Sequence, residues 1–83
     1  MQIVYDEVKR ATNLSKHRLD FADLKVEFFE DATIIPAKMD RYKAIGWFDN
    51  RLIIVVIVKP LGTEAISVLS MRPAKRAERD MHW

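Results

Sequence analysis

Apolar and polar positions follow one period in the first third of the chain and another beyond it. Residues 2–5 (Gln-Ile-Val-Tyr) are β-rich and suit a short first strand. Asp6 is a favoured helix N-cap, and Val8, Ala11 and Leu14 then recur one turn apart, which predicts a helix over 7–14. Asp20 repeats the capping signal. Phe21, Leu24 and Phe28 fall at i, i+3 and i+7, so residues 21–30 read as a second amphipathic helix with its acids on the solvent face. After residue 32 the period shortens to two. Thr33-Ile34-Ile35 is β-branched and stops at Pro36. Residues 41–47 alternate, with Tyr42, Ala44 and Gly46 on one side and Arg41, Lys43 and Ile45 on the other. Asp49-Asn50 marks a hairpin turn. The apolar stretch of 51–59 does not alternate, so both its faces are covered and it is central. Pro60-Leu61-Gly62-Thr63 reads as the next turn, residues 64–71 as a further strand, and Pro73 as the first turn of a last helix with Ala74, Ala77 and Met81 on one face.

The order is β-α-α-β-β-β-β-α. Consecutive strands joined by short turns make an antiparallel meander, and helices in separate blocks make the class α+β. No repeat or internal boundary divides residues 1–83, which read as one domain.

Composition narrows the function. The chain has no cysteine, so no disulfide staples it and no thiolate attacks a substrate or binds zinc. Its N-terminus lacks a basic-then-apolar signal, and its longest apolar run, residues 52–58, is far below the roughly 20 that a membrane helix needs. A reducing cytoplasm and no membrane are the expectation. The formal net charge is +2, unevenly spread. Residues 20–31 hold five acids and one Lys. Basic clusters stand elsewhere: Lys9, Arg10, Lys16 and Arg18; Lys38, Arg41 and Lys43; and Arg72, Lys75, Arg76 and Arg79. If they converge they suit phosphates; otherwise they are solvated faces with local ion pairs.

Several catalytic engines are excluded by inspection. The two glycines, Gly46 and Gly62, form no phosphate-cradling loop. His17 and His82 make no His-Glu-x-x-His pair, and no serine sits in a Gly-x-Ser-x-Gly elbow. No cofactor or metal is implied. What remains is metal-free cleavage of a phosphodiester. RNA brings its own nucleophile, the 2′-OH, and asks of a protein only proton transfer and charge stabilisation.

Tyr5-Asp6-x-x-Lys9-x-x-x-Asn13-x-x-Lys16-His17-x-Leu19-x-Phe21 resembles the opening signature of the BrnT family. Asp40-Arg41-Tyr42 with Gly46, and the ending Ile66-x-Val68-Leu69-Ser70-Met71-Arg72-x-Ala74-x-x-x-Glu78-Arg79, are similar to that family's later motifs, in order. The resemblance implies a RelE-like fold with two N-terminal helices and one C-terminal helix. It implies the endoribonuclease toxin of a bacterial type II toxin–antitoxin system, one that inhibits translation. It also implies a BrnA-like antitoxin of ribbon-helix-helix type, with DNA contacted only through the antitoxin complex, and a homodimer within that assembly as an option. Two departures stand out: Ser67 where the family usually has Arg, and Met71 where Ala is usual.

Each candidate residue has a functional and an ordinary reading. Arg72, before the last helix, meets a scissile phosphate or makes a surface ion pair with Glu78 or Asp80. Arg41 clamps a phosphate or pairs across strands with Asp49 or Glu64. His17 is an acid–base group or a capping histidine, and Lys16 beside it binds substrate or answers the helix dipole. Glu78 is a general base, an orienter of Arg72, or half of a helix-surface salt bridge with its neighbours. Arg79 and Lys43 are further substrate-binding candidates, while Asp6, Lys9 and Asn13 read as structural. Three functions compete: a metal-independent ribonuclease toxin, a catalytically degenerate relative that only binds its partner within a repressor complex, and a generic nucleic-acid-binding domain.

Overall fold

The apolar run becomes the middle of a sheet. In the computed structural model, which describes residues 1–82, the elements are β1 (Gln2–Tyr5), α1 (Glu7–His17), a 3-10 turn (Phe21–Asp23), α2 (Val26–Glu30), β2 (Thr33–Pro36), β3 (Tyr42–Phe48), β4 (Leu52–Leu61), β5 (Ala65–Pro73) and α3 (Arg76–His82). The sheet order is β1-β5-β4-β3-β2. The four later strands form the expected antiparallel meander, and β1 joins its edge parallel to β5.

β4 is covered on both faces, as its lack of alternation requires. Ile54, Val56 and Val58 point into a larger core with Leu19, Phe21, Leu24, Phe28, Ala44, Val68 and Met71. Ile53 and Val55 point the other way, to Ile45 and Ala74. The 3-10 turn and α2 cover the first face, and α3 lies over the second. Gly46 permits the close approach of α2, because a Cβ there would stand 3.2 Å from the Phe28 ring. The β3–β4 hairpin turns at Asp49 and Asn50, both in the left-handed region that Asp and Asn tolerate.

Four expectations are corrected. The single helix over 21–30 is broken: Leu24 is extended, which lets Phe21, Leu24 and Phe28 all reach the core. Pro60 and Leu61 belong to β4 where it outruns β3, so the turn is set by Gly62 at φ +68°. Pro73 ends β5 opposite Ile54, and α3 starts only at Arg76. Its inward residues are Ala74, just before it, and Glu78, while Ala77 and Met81 face solvent.

α1 extends to His17 with Asp6 as its N-cap, accepting from the Lys9 N–H at 3.1 Å. Its apolar stripe is not buried, and Val8 is 73% exposed. Polar contacts dock this helix instead. Arg10 makes a two-pronged bond to Asp20 at 2.7 and 2.9 Å, which lowers the carboxyl pKa of Asp20. Asn13, the buried residue of α1, donates to the Leu19 carbonyl and accepts from the Met71 N–H. That N–H lies beyond the stretch of β5 paired with β1. Just before it, between Val68 and Ser70, the register of β5 against β4 shifts by one residue at Leu69.

Asn13→Ala strips two buried backbone groups of their partner. Denaturant unfolding should show a loss of about 2–3 kcal/mol. Asn13→Asp keeps only the acceptor and should also destabilise.

Candidate phosphate-binding site

On the α3 face of the sheet, alternation puts Lys43 of β3 and Arg72 of β5 on one surface. Arg72 is in register with Val55 and Lys43 with Ile57 on β4 between them. Two cations on an apolar sheet would repel; Glu78 of α3 comes down between them. The Arg72 guanidinium donates to Glu78 Oε1 at 2.7 Å through Nη1 and to Oε2 at 2.8 Å through Nη2. Lys43 Nζ donates to Oε2 at 3.2 Å. The Lys75 N–H donates to Oε1 at 2.8 Å, so Glu78 also closes the first turn of α3 as a capping-box acid.

Glu78 is only 5% exposed, and four donated hydrogen bonds offset the desolvation of its carboxylate. Arg72 above all, with the Lys75 amide and Lys43, holds its pKa well below the ordinary carboxylate range. Glu78 correspondingly raises the pKa of Arg72. Glu78 thus stays charged across the working pH range.

Arg72 still has donors to spare. Nη1 serves Glu78 and the Pro73 carbonyl, and one hydrogen of Nη2 serves Glu78. Of the five guanidinium N–H groups, Nε–H and the second on Nη2 have no partner among the described residues. They lie on one edge of the plane, the fork that receives two oxygens of a phosphate. Lys43 likewise keeps two of its three donors, and the cluster carries a net positive charge.

The other candidates are distributed. Arg41 sits at the end of the β2–β3 loop, one residue before β3, and its side chain has no partner among the described residues. Arg79 turns back to the Ala74 carbonyl at 3.0 Å. Lys16 and His17 line a separate groove between α1 and β5, which Ser70 also borders. Ser70 and Ser67 share the Arg72 side of β5, because their β4 partners Ile57 and Lys59 share a side. Sequence reasoning missed Lys59, which sets an ammonium opposite Ser67. The hairpin register alone could have found it. The acidic stretch 20–31 packs on the opposite face of the sheet. Among the described residues, no three His or carboxylate side chains cluster as metal ligands.

This is a small α+β domain with an ion-braced cation pair on its sheet, and the donors left on Arg72 and Lys43 suit a phosphate. Residues 5–78 match the family model described as the ribonuclease toxin, BrnT, of type II toxin–antitoxin systems. Over 92% of this chain and 99% of the other, the fold superposes on the crystal structure of the Brucella abortus ribonuclease toxin BrnT, with a TM-score of 0.87 and 56% identity. No match is found among curated proteins. The chain belongs to the BrnT family of ribonuclease toxins.

Because the Glu78 pKa is depressed on folding, its contribution to stability is complete above about pH 4.5 and is lost as pH falls through the folded value. Glu78→Gln keeps the shape but loses the charge-assisted hydrogen bonds, and should lower stability at neutral pH by about 2 kcal/mol. It should also flatten the acid limb of a stability-against-pH curve. An acid limb as steep as wild type would remove this account of the cluster.

Proposed function

We propose that this protein is a metal-independent endoribonuclease that cuts RNA with the RNA's own 2′-OH and so inhibits translation. The observation that carries the reading is the unfilled Nε/Nη2 edge of Arg72, held in place by Glu78 beside Lys43. The 2′-oxygen loses its proton and attacks phosphorus, the bond to the 5′-oxygen breaks, and that oxygen takes up a proton. Products are a 2′,3′-cyclic phosphate and a 5′-hydroxyl. Arg72 and Lys43 stabilise the charge that gathers on the phosphorane oxygens. Glu78 acts by positioning them; an acid so firmly ionised and so fully hydrogen-bonded is a poor proton carrier. His17, in the adjoining groove, is the proton-transfer candidate, with Lys16 beside it. Arg41, at the loop end near Lys43, and Arg79 extend the cationic surface along the strand of RNA.

Family membership supports the rest of the assignment: a RelE-like arrangement, action in the cytoplasm, and neutralisation by a BrnA-like antitoxin of ribbon-helix-helix type that carries the complex to DNA. A homodimer within that complex belongs to the same reading. Ser67 favours a second reading, a catalytically degenerate relative that acts only through its partner. Lys59 opposite Ser67 weighs against it by restoring a cation to that row.

The test is expression without antitoxin, followed by assay of the purified protein on RNA in excess chelator. Wild type should arrest growth and yield cyclic-phosphate ends. Arg72→Ala should cut the cleavage rate about 100-fold and relieve the arrest. A wild type that is folded, harmless and inactive would leave the partner-binding reading, with Ser67→Arg as the variant to restore activity.

A further inference from the structure

The groove between α1 and β5 has a chemistry that the phosphate cluster does not use. Its volume is about 270 Å³, near the lower end for small-molecule sites. Val8 and Leu69 supply its apolar lining, and Lys9, Lys16 and His17 line it with cationic or protonatable groups. Both apolar residues are out of place for a packed domain. Val8 is 73% exposed on a helix that docks through polar contacts. Leu69 is the extra residue where the β5 register slips, and it joins neither core. Bulges re-aim side chains beside functional sites. Here the bulge keeps Val68 and Met71 in the core and leaves Leu69 for the groove. Asn13 also lines the groove, but its amide is committed to Leu19 and Met71.

Resting on the ribonuclease reading, we propose that this groove seats one unpaired nucleotide of the RNA substrate, next to the phosphate held by Arg72 and Lys43. Ser70 makes the two sites continuous: it borders the groove and stands two residues before Arg72 on the same side of β5. A base face covers Val8 and Leu69, and Lys9 and Lys16 hold the phosphate of its nucleotide. A base in a duplex keeps its face stacked and cannot enter, so the groove selects single-stranded RNA. With the Asn13 amide already engaged, recognition comes chiefly from stacking, and tolerance of different bases follows.

The experiment compares kcat/KM for a dinucleoside monophosphate with that for a pentanucleotide containing the same step. Wild type should prefer the pentanucleotide by tenfold or more. Val8→Ser and Leu69→Ser, which change no charge, should each reduce that preference about fivefold. An unchanged preference, or an equal loss on both substrates, would overturn the subsite. If wild type cleaves neither RNA, the ribonuclease reading falls, and the groove is judged by binding of the single-stranded pentanucleotide. Affinity weakened in Val8→Ser, with a hairpin duplex bound no better, would uphold the groove. Affinity equal to wild type would dismiss it.

Discussion

The carboxylate of Glu78 is the constraint on which the rest of this structure depends. It bonds to a side chain of β3, a side chain of β5 and the backbone at the start of α3. Without it, two cations would face each other on an apolar sheet, and α3 would lose both its cap and its anchorage. The far end of the helix is tied by a hydrogen bond between His82 and Thr33 of β2. A buried ion pair of this kind contributes little net stability compared with apolar packing. What it contributes is geometry: Glu78 locks Arg72 through two of its donors, while the Nε/Nη2 edge keeps two donors without a partner among the described residues.

A second polar device supports the first from the other side of β5. Once β1 ends at Tyr5, the rest of β5 has no strand on that side. Asn13 takes the place of that strand at Met71, and Arg10 with Asp20 holds α1 where Asn13 can reach. The bulge, the amide and the ion pair together bring the helix carrying Lys16 and His17 alongside the strand carrying Arg72. A helix docked by apolar packing would have had Val8 beneath it. Polar docking instead leaves Val8 and Leu69 open to a ligand.

Much of the fold was legible in the chain. The β4 run, the Asp49-Asn50 turn, the Asp6 cap and the alternation over 41–47 rest on local chemistry that any tertiary context must obey. The failures have a common cause. The 3.6-residue stripe at 21–28 is satisfied equally by a 3-10 turn, an extended Leu24 and a short helix, because burial of those side chains, not helix continuity, is what the core demands. α1 showed an apolar stripe, yet its docking is decided by Asn13 and Arg10, whose partners lie at Leu19, Asp20 and Met71. Pro73 looked like a helix start and proved to be the end of a strand, since β4 still offers a register partner there. Among site residues, Arg72 and Glu78 were legible as a motif, and their opposite charges six positions apart already suggested the pair. Lys43 joins them only through the β3–β4–β5 register, which no local pattern displays. Lys59 was hidden for the same reason.

The most direct test of the central claim is to see where RNA touches the protein. Amide and side-chain NMR signals would be followed as a pentanucleotide with 2′-deoxy sugar at the scissile step is added. The account predicts the largest shifts at the Arg72 Nε–H, with Lys43 and Ser70 following and residues 20–31 silent. Shifts centred on residues 20–31, with the Arg72 Nε–H unmoved, would contradict it.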